Sequence, residues 1–211
     1  MTTLTAAEFA RHVAGLAVGR PRLMVGIAGA PGVGKSTLAA STEAALAPDA
    51  VVLPMDGFHL PQAQLVALGR RDRMGAPDTF DLDAFIATLE DVRFSGGLTL
   101  APGFNRGIEE PVPDALAIPP EKRIVLVEGN YLLHDRDGWE RVAPLLDLVA
   151  FVETDDELRR ERLIARHIAF GKTRDAARAW VLGPDEANAR LVAATAPRAH
   201  LRVDLGLDAG R

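Results

Sequence analysis

Cysteine is absent from the chain. That excludes disulfide staples, zinc–thiolate and iron–sulfur sites and any thiol nucleophile, and it fits a reducing compartment, with the cytoplasm as the expectation. A surplus of positive charge is missing as well. Twenty-four basic against 29 acidic side chains leave a net charge of −5, the wrong sign for a chain built to release counterions from nucleic acid, so no polynucleotide partner is expected. No stretch approaches the roughly eighteen apolar residues of a membrane span, and the first residues lack an apolar core flanked by basic ones, so neither a membrane partner nor a targeting segment is expected. Aromatic residues are scarce, with eight Phe, two Trp and one Tyr, a supply that argues against a pocket walled by stacked rings.

What is present suffices for one α/β domain over residues 1–211, long enough to bury about 70% of its unfolded surface without a staple. Short, branched apolar runs at Leu23 to Ala28, Val51 to Leu53, Ile124 to Val127, Leu148 to Val152 and Leu201 to Leu205 read as buried parallel strands. Helical periodicity falls around and between them: Thr5 to Val18, Lys35 to Leu46, Asp81 to Val92, Trp139 to Leu146, Asp155 to Phe170 and Arg174 to Ala194. Alternating strands and helices imply a parallel sheet covered on both faces. Residues 96–120, rich in proline and glycine, interrupt this order and read as an inserted hairpin built on Leu98 to Phe104 and Ala115 to Ile118. The oligomeric state is left open, a homodimer included.

The segment Gly29-Ala30-Pro31-Gly32-Val33-Gly34-Lys35-Ser36 satisfies the pattern G-x-x-x-x-G-K-[ST], directly after a strand and directly before a helix. Its glycines let successive backbone N–H groups turn inward, and the helix N-terminus adds partial positive charge where a β-phosphate would sit. Lys35 can follow a γ-phosphoryl group, Ser36 offers its hydroxyl to Mg²⁺, and Thr37 lies near the α-phosphate. These nine residues are the expected ATP-binding set.

Other motifs choose among phosphate-binding classes. A guanine reader Asn-Lys-x-Asp is missing, since none of Asn105, Asn130 and Asn188 is followed by lysine. Ser95-Gly96-Gly97 is too ordinary a loop to signal a transporter ATPase. In contrast, Glu128 ends a strand at the sheet's C-terminal edge, where open α/β sheets hold ligands, and is expected to serve Mg²⁺. Asp56 reaches the same edge from the second strand. A carboxylate beside the γ-phosphate can take the proton of an attacking hydroxyl, or hold metal, or both. The reading is ATP-dependent transfer to a small-molecule hydroxyl; a regulatory ATPase without acceptor is the competing class.

The segments GAPGVGKST, PMDGFHL, RMGAPDTFD, VLVEGNYLL and PGFNRGIEEPV together resemble the uridine kinase, pantothenate kinase and phosphoribulokinase group of P-loop kinases, and in particular the small bacterial proteins called fructose transport system kinases. Residues 162–192 are similar to that group's lid and following helix. The resemblance implies a five-stranded parallel sheet in spatial order 2-3-1-4-5, use of Mg-ATP, Asp56 as base and Glu128 as magnesium carboxylate. It also favours a sugar such as fructose as acceptor, with nucleosides or pantothenate as alternatives. One departure stands out: many relatives have Phe-Asp-Arg where this chain has Phe104-Asn105-Arg106, which removes a charge from the expected acceptor pocket.

On the helix from Asp155, residues Arg159, Arg162 and Arg166 fall within about 60° of arc at helical periodicity. Asp155 can pair with Arg159, whereas Arg162 and Arg166 have no acid at helical spacing and are the expected lid cations, over a lid of residues 155–173. The expected acceptor residues are His59, Arg73, Phe80, Phe104, Arg106 and Tyr131.

Overall fold

The computed structural model describes residues 1–206; the last five residues of the expected domain lie outside the described residues. The first strand is a two-residue edge piece, β1 (Thr3–Leu4), and helix α1 (Ala6–Ala17) follows, opened by Thr5 in a reciprocal capping box with Glu8. Next come β2 (Leu23–Ala28), α2 (Lys35–Ala45) and β3 (Ala50–Pro54). A short α3 (Gln62–Ala67) precedes α4 (Leu82–Phe94), which Asp81 caps by accepting from the Ala84 N–H at 3.0 Å. The hairpin β4 (Thr99–Asn105) and β5 (Glu110–Ile118) leads to β6 (Ile124–Gly129) and β7 (Leu148–Glu153). The tail holds α5 (Asp156–Ala169), α6 (Arg174–Trp180), a π-helical segment Val181–Asp185, α7 (Glu186–Ala193) and β8 (Leu201–Asp204).

Six strands form one parallel sheet in the order β3-β6-β2-β7-β8-β1. Its first five members reproduce the expected order 2-3-1-4-5; the sixth, β1, is too short to be seen as a periodic run. Every residue of β2 and β6 is buried, because neighbouring side chains enter opposite cores. Met24, Val125, Val127 and Phe151 pack with Phe85, Leu89 and Trp139 on one face. Val25, Ile27, Leu126 and Ala150 pack with Phe9, Val13 and Leu38 on the other. The result is a three-layer α/β fold.

Two expected helices take other forms. The segment from Trp139 makes two single 3₁₀ turns, Trp139–Arg141 and Ala143–Leu145, since Pro144 cannot donate to a continuing helical ladder. The run from Arg174 stays helical but widens into the π segment around Pro184. No helix among the described residues is long and apolar enough to cross a membrane.

The β4/β5 hairpin is a separate antiparallel sheet, bulged between Ala101 and Gly103. It lies directly against the turn that leaves β3. A side chain at Gly57 would place its Cβ 2.1 Å from the Pro102 carbonyl oxygen, so only glycine lets the hairpin backbone come this close. Asp56 and the hairpin tip are thereby brought together.

Candidate active site

The turn from β2 into α2 forms the floor of a cleft of about 850 Å³. Gly34, at φ 104°, is the N-cap of α2 and gives it no side-chain hydrogen bond. The first N–H groups of this helix are thus left for an anion. Gly32 sits at φ 80° beneath α5, where a Cβ would meet Leu163 Cγ at 2.5 Å. Gly34, Lys35, Ser36 and Thr37 line the cleft, and Val33 anchors the loop in the core.

Lys35 Nζ donates to the carbonyls of Gly29 (2.9 Å) and Ala30 (3.0 Å) and to Asn130 Oδ1 (2.7 Å). Burial, resisted by Glu128 and Asp56, pushes its ammonium down to about 8. Ser36 Oγ donates to Glu128 Oε2 at 2.9 Å. Glu128 is 8% exposed, and burial pushes its carboxyl up against the opposing charge of Lys35. Asp56, in the one-turn 3₁₀ helix Met55–Phe58, faces the same cleft. Burial alone would raise its carboxyl, but Arg106, His59, Lys35 and Arg166 together hold it below the ordinary value. Arg106 Nη2 approaches Asp56 Oδ2 to 2.5 Å.

The residues present fit Mg²⁺. A hydroxyl and a carboxylate already in contact, with a second carboxylate on the same cleft, are the hard oxygen donors this ion prefers to share with phosphate oxygens.

Of the arginines expected to form one stripe on α5, Arg162 and Arg166 reach the cleft and have no ion pair among the described residues. Arg159 does not join them. Its side chain is 2% exposed and bonds Asp156 Oδ1 at 2.9 Å and Glu186 Oε2 at 2.7 Å. Asp155, expected to pair with Arg159, instead caps α5 through the N–H groups of Glu157 and Leu158.

A second cavity of about 120 Å³ adjoins the first, with Asp56, Phe104, Arg106, Asn130 and Arg166 bordering both. Here lie His59 and Phe80, with ring centroids 4.0 Å apart, and Phe104, 4.8 Å from His59. His59 Nδ1 is 2.8 Å from the Asp56 carbonyl oxygen, which can only accept, so the proton is on Nδ1. Burial lowers the His59 pKa against the opposing charge of Asp56, and whenever the ring is neutral its Nε2 is an acceptor.

Two expected acceptor residues fall outside this cavity. Tyr131 is 1% exposed and packs against Phe80 and Trp139, its hydroxyl donating to the Gly75 carbonyl at 2.6 Å; its large apolar ring serves the core. Arg73 is drawn to Asp78 at 2.6 Å on the outer surface. Asn105 is also elsewhere. Its Oδ1 accepts from the N–H groups of Gly107 (2.9 Å) and Ile108 (3.4 Å) and shapes the hairpin tip, so the departure at 105 leaves the pocket's charge untouched.

The sequence reading missed Asn130, His167, Trp180, Asp185 and Asn188, all on these walls. Asn130 directly follows Glu128-Gly129, and Pro184 beside Asp185 marks a break in helical geometry; those were the available signals. The scarcity of aromatics also misled, because Phe80, Phe104, Phe170 and Trp180 are concentrated here.

The model of the phosphoribulokinase/uridine kinase family matches residues 24–207. A protein of Escherichia coli strain K12 with no assigned activity is 36% identical over 189 residues, covering 87% of this chain and 78% of that one. A Schizosaccharomyces pombe protein named as a uridine kinase is 34% identical over 160 residues, 71% of this chain and 68% of its own. Among solved structures, a protein from Silicibacter sp. TM1040 named as a fructose transport system kinase superposes with a TM-score of 0.86 at 35% identity, covering 94% of this chain and 98% of the other.

Proposed function

Since the chain belongs to the phosphoribulokinase/uridine kinase family and is an ATP-dependent small-molecule phosphotransferase, we propose that it phosphorylates a hydroxyl of a sugar or sugar-like polyol in the cytoplasm, with D-fructose the first acceptor to test. The observation that carries this reading is the placement of Asp56 on the border of both cavities. One cavity has phosphate-binding geometry, and the other offers His59, Asn130, Asp185 and Asn188 as hydroxyl partners.

The roles follow from position. The loop of residues 29–37 cradles the phosphates, and Ser36 and Glu128 hold Mg²⁺, which neutralises charge on the phosphate oxygens when bound. Asp56 accepts the proton as the acceptor oxygen bonds to the γ-phosphorus; the bond to the bridging oxygen breaks and ADP leaves. Lys35, Arg162 and Arg166 stabilise charge on the transferring group. Asp56 must first part from Arg106, and a hydroxyl arriving between them supplies the replacement hydrogen bond.

A nucleoside is the second reading, favoured by the aromatic side chains around the smaller cavity. Incubation with Mg-ATP and a panel of sugars, polyols and nucleosides tests both. ADP release should rise sharply with one ketose or polyol, while release independent of every acceptor contradicts the proposal.

A further inference from the structure

The last turn of α5 and the π segment meet on the wall of the smaller cavity. There His167 Nε2 and Asp185 Oδ2 are 2.8 Å apart, with side chains only 15% and 10% exposed. Both residues border the cavity, as does Asn188. A π turn inserts an extra residue into a helix and swings its side chains, and such turns recur at functional sites. Here Pro184 withholds the N–H that an α-ladder would need, and Asp185 is carried onto the cavity wall. Its Oδ2 takes the imidazole; no protein donor meets Oδ1 among the described residues. A carboxylate oxygen bordering a cavity in that condition is available to accept a hydrogen bond from a ligand.

The surrounding charges narrow what that ligand can be. Arg106 is taken up by Asp56, and Arg71 and Lys172 by Glu109. His167 is taken up by Asp185. Arg166 has no ion pair among the described residues, but it also borders the phosphate cleft, where transfer requires it. An acceptor bearing a carboxylate or phosphate would therefore meet the Asp185 carboxylate with Arg166 as the one unpaired cation among the described residues, and that cation is committed to the phosphates during transfer, so bringing such like charges together in a desolvated site is costly.

We infer that Asp185, anchored by His167, is the specificity-determining residue of the acceptor site, accepting a hydrogen bond from one acceptor hydroxyl and selecting an uncharged polyol over alcohols that carry a carboxylate or phosphate. This rests on the kinase reading above and deepens it.

The test uses the full chain with Mg-ATP and four probes: D-fructose and uridine, which are uncharged, and pantothenate and D-glycerate, which are carboxylates. Wild type should turn over an uncharged probe with kcat/KM at least about tenfold above either carboxylate. Asp185→Asn, which keeps the side chain's size, should lower that kcat/KM by about 10- to 100-fold, the worth of one hydrogen bond to a charged group. The loss should lie mainly in acceptor KM, with ATP KM and thermal unfolding unchanged. His167→Ala, which leaves the carboxylate but removes the side chain that anchors it, should shift acceptor KM in the same direction by less, and it carries the comparison if Asp185→Asn does not fold. A wild type that prefers pantothenate or D-glycerate, or variants with unaltered acceptor KM, overturns the inference and leaves the kinase reading intact. Acceptor-independent ADP release with all four probes removes the kinase reading and this inference with it.

Discussion

The Arg106 guanidinium at the hairpin tip lies 2.5 Å from the Asp56 carboxylate in the 3₁₀ turn that follows β3, fifty residues earlier in the chain. Removing Arg106 takes away the strongest influence that lowers Asp56, so the carboxyl of Arg106→Ala rises toward its ordinary value or above. A base works only when deprotonated, and the acidic limb of the kcat/KM profile should therefore move to higher pH. A pH–rate series on wild type and Arg106→Ala checks this, and coincident limbs would uncouple the pair from catalysis.

Asp56→Asn keeps the shape of the side chain and loses the proton acceptor. Phosphoryl transfer should fall by about 10² to 10⁴, the range for a positioned base, while ATP affinity measured by calorimetry stays near wild type. Affinity falling as far as the rate would make Asp56 chiefly a metal ligand.

Lys35 stands at about 8 in the ligand-free protein, and phosphates placed beside it would raise that value. At pH 8.5 a substantial fraction of free protein lacks this proton and the complex holds it, so ATP binding should take up a proton. Calorimetry in buffers of different ionisation enthalpy reads the uptake directly. Lys35→Ala should abolish it and collapse turnover, with thermal unfolding near wild type because the side chain serves ligand rather than core.

Ser36→Ala removes the donor of the 2.9 Å hydrogen bond to Glu128, and Glu128→Gln keeps an acceptor there but loses the carboxylate charge. Both should raise the Mg²⁺ concentration needed for half-maximal activity. Unchanged magnesium titrations would take both residues out of the metal site.

Two neighbours on α5 should separate by phenotype. Arg159→Ala opens a void and removes one of the two arginines that hold Glu186, Arg160 remaining at 2.9 Å, and should cost about 1 to 3 kcal/mol of stability, the range for lost hydrogen bonds to a charged group. Arg166→Ala, with no ion pair to lose among the described residues, should unfold as wild type does and lose turnover instead. Denaturant unfolding together with kcat/KM distinguishes them.

What the sequence alone determined is what neighbouring residues determine. The strand runs and the phosphate loop at 29–37 were legible because each depends on a few consecutive side chains and backbone angles. Asp56 and Glu128 were legible for a related reason, since a residue at the end of a buried parallel strand reaches the ligand edge wherever the rest of the chain goes. The acceptor site had no such local code. Whether Arg159 or Arg166 met the cleft depended on Glu186 arriving from α7, and Tyr131 was claimed by the Gly75 carbonyl and Trp139. Arg106 met Asp56 because Gly57 admits the hairpin backbone, and Asp185 faced inward because Pro184 widens its helix. These placements follow from contacts between residues far apart in sequence, where packing and charge pairing choose one of several directions open to a long side chain, so only the tertiary structure decided them.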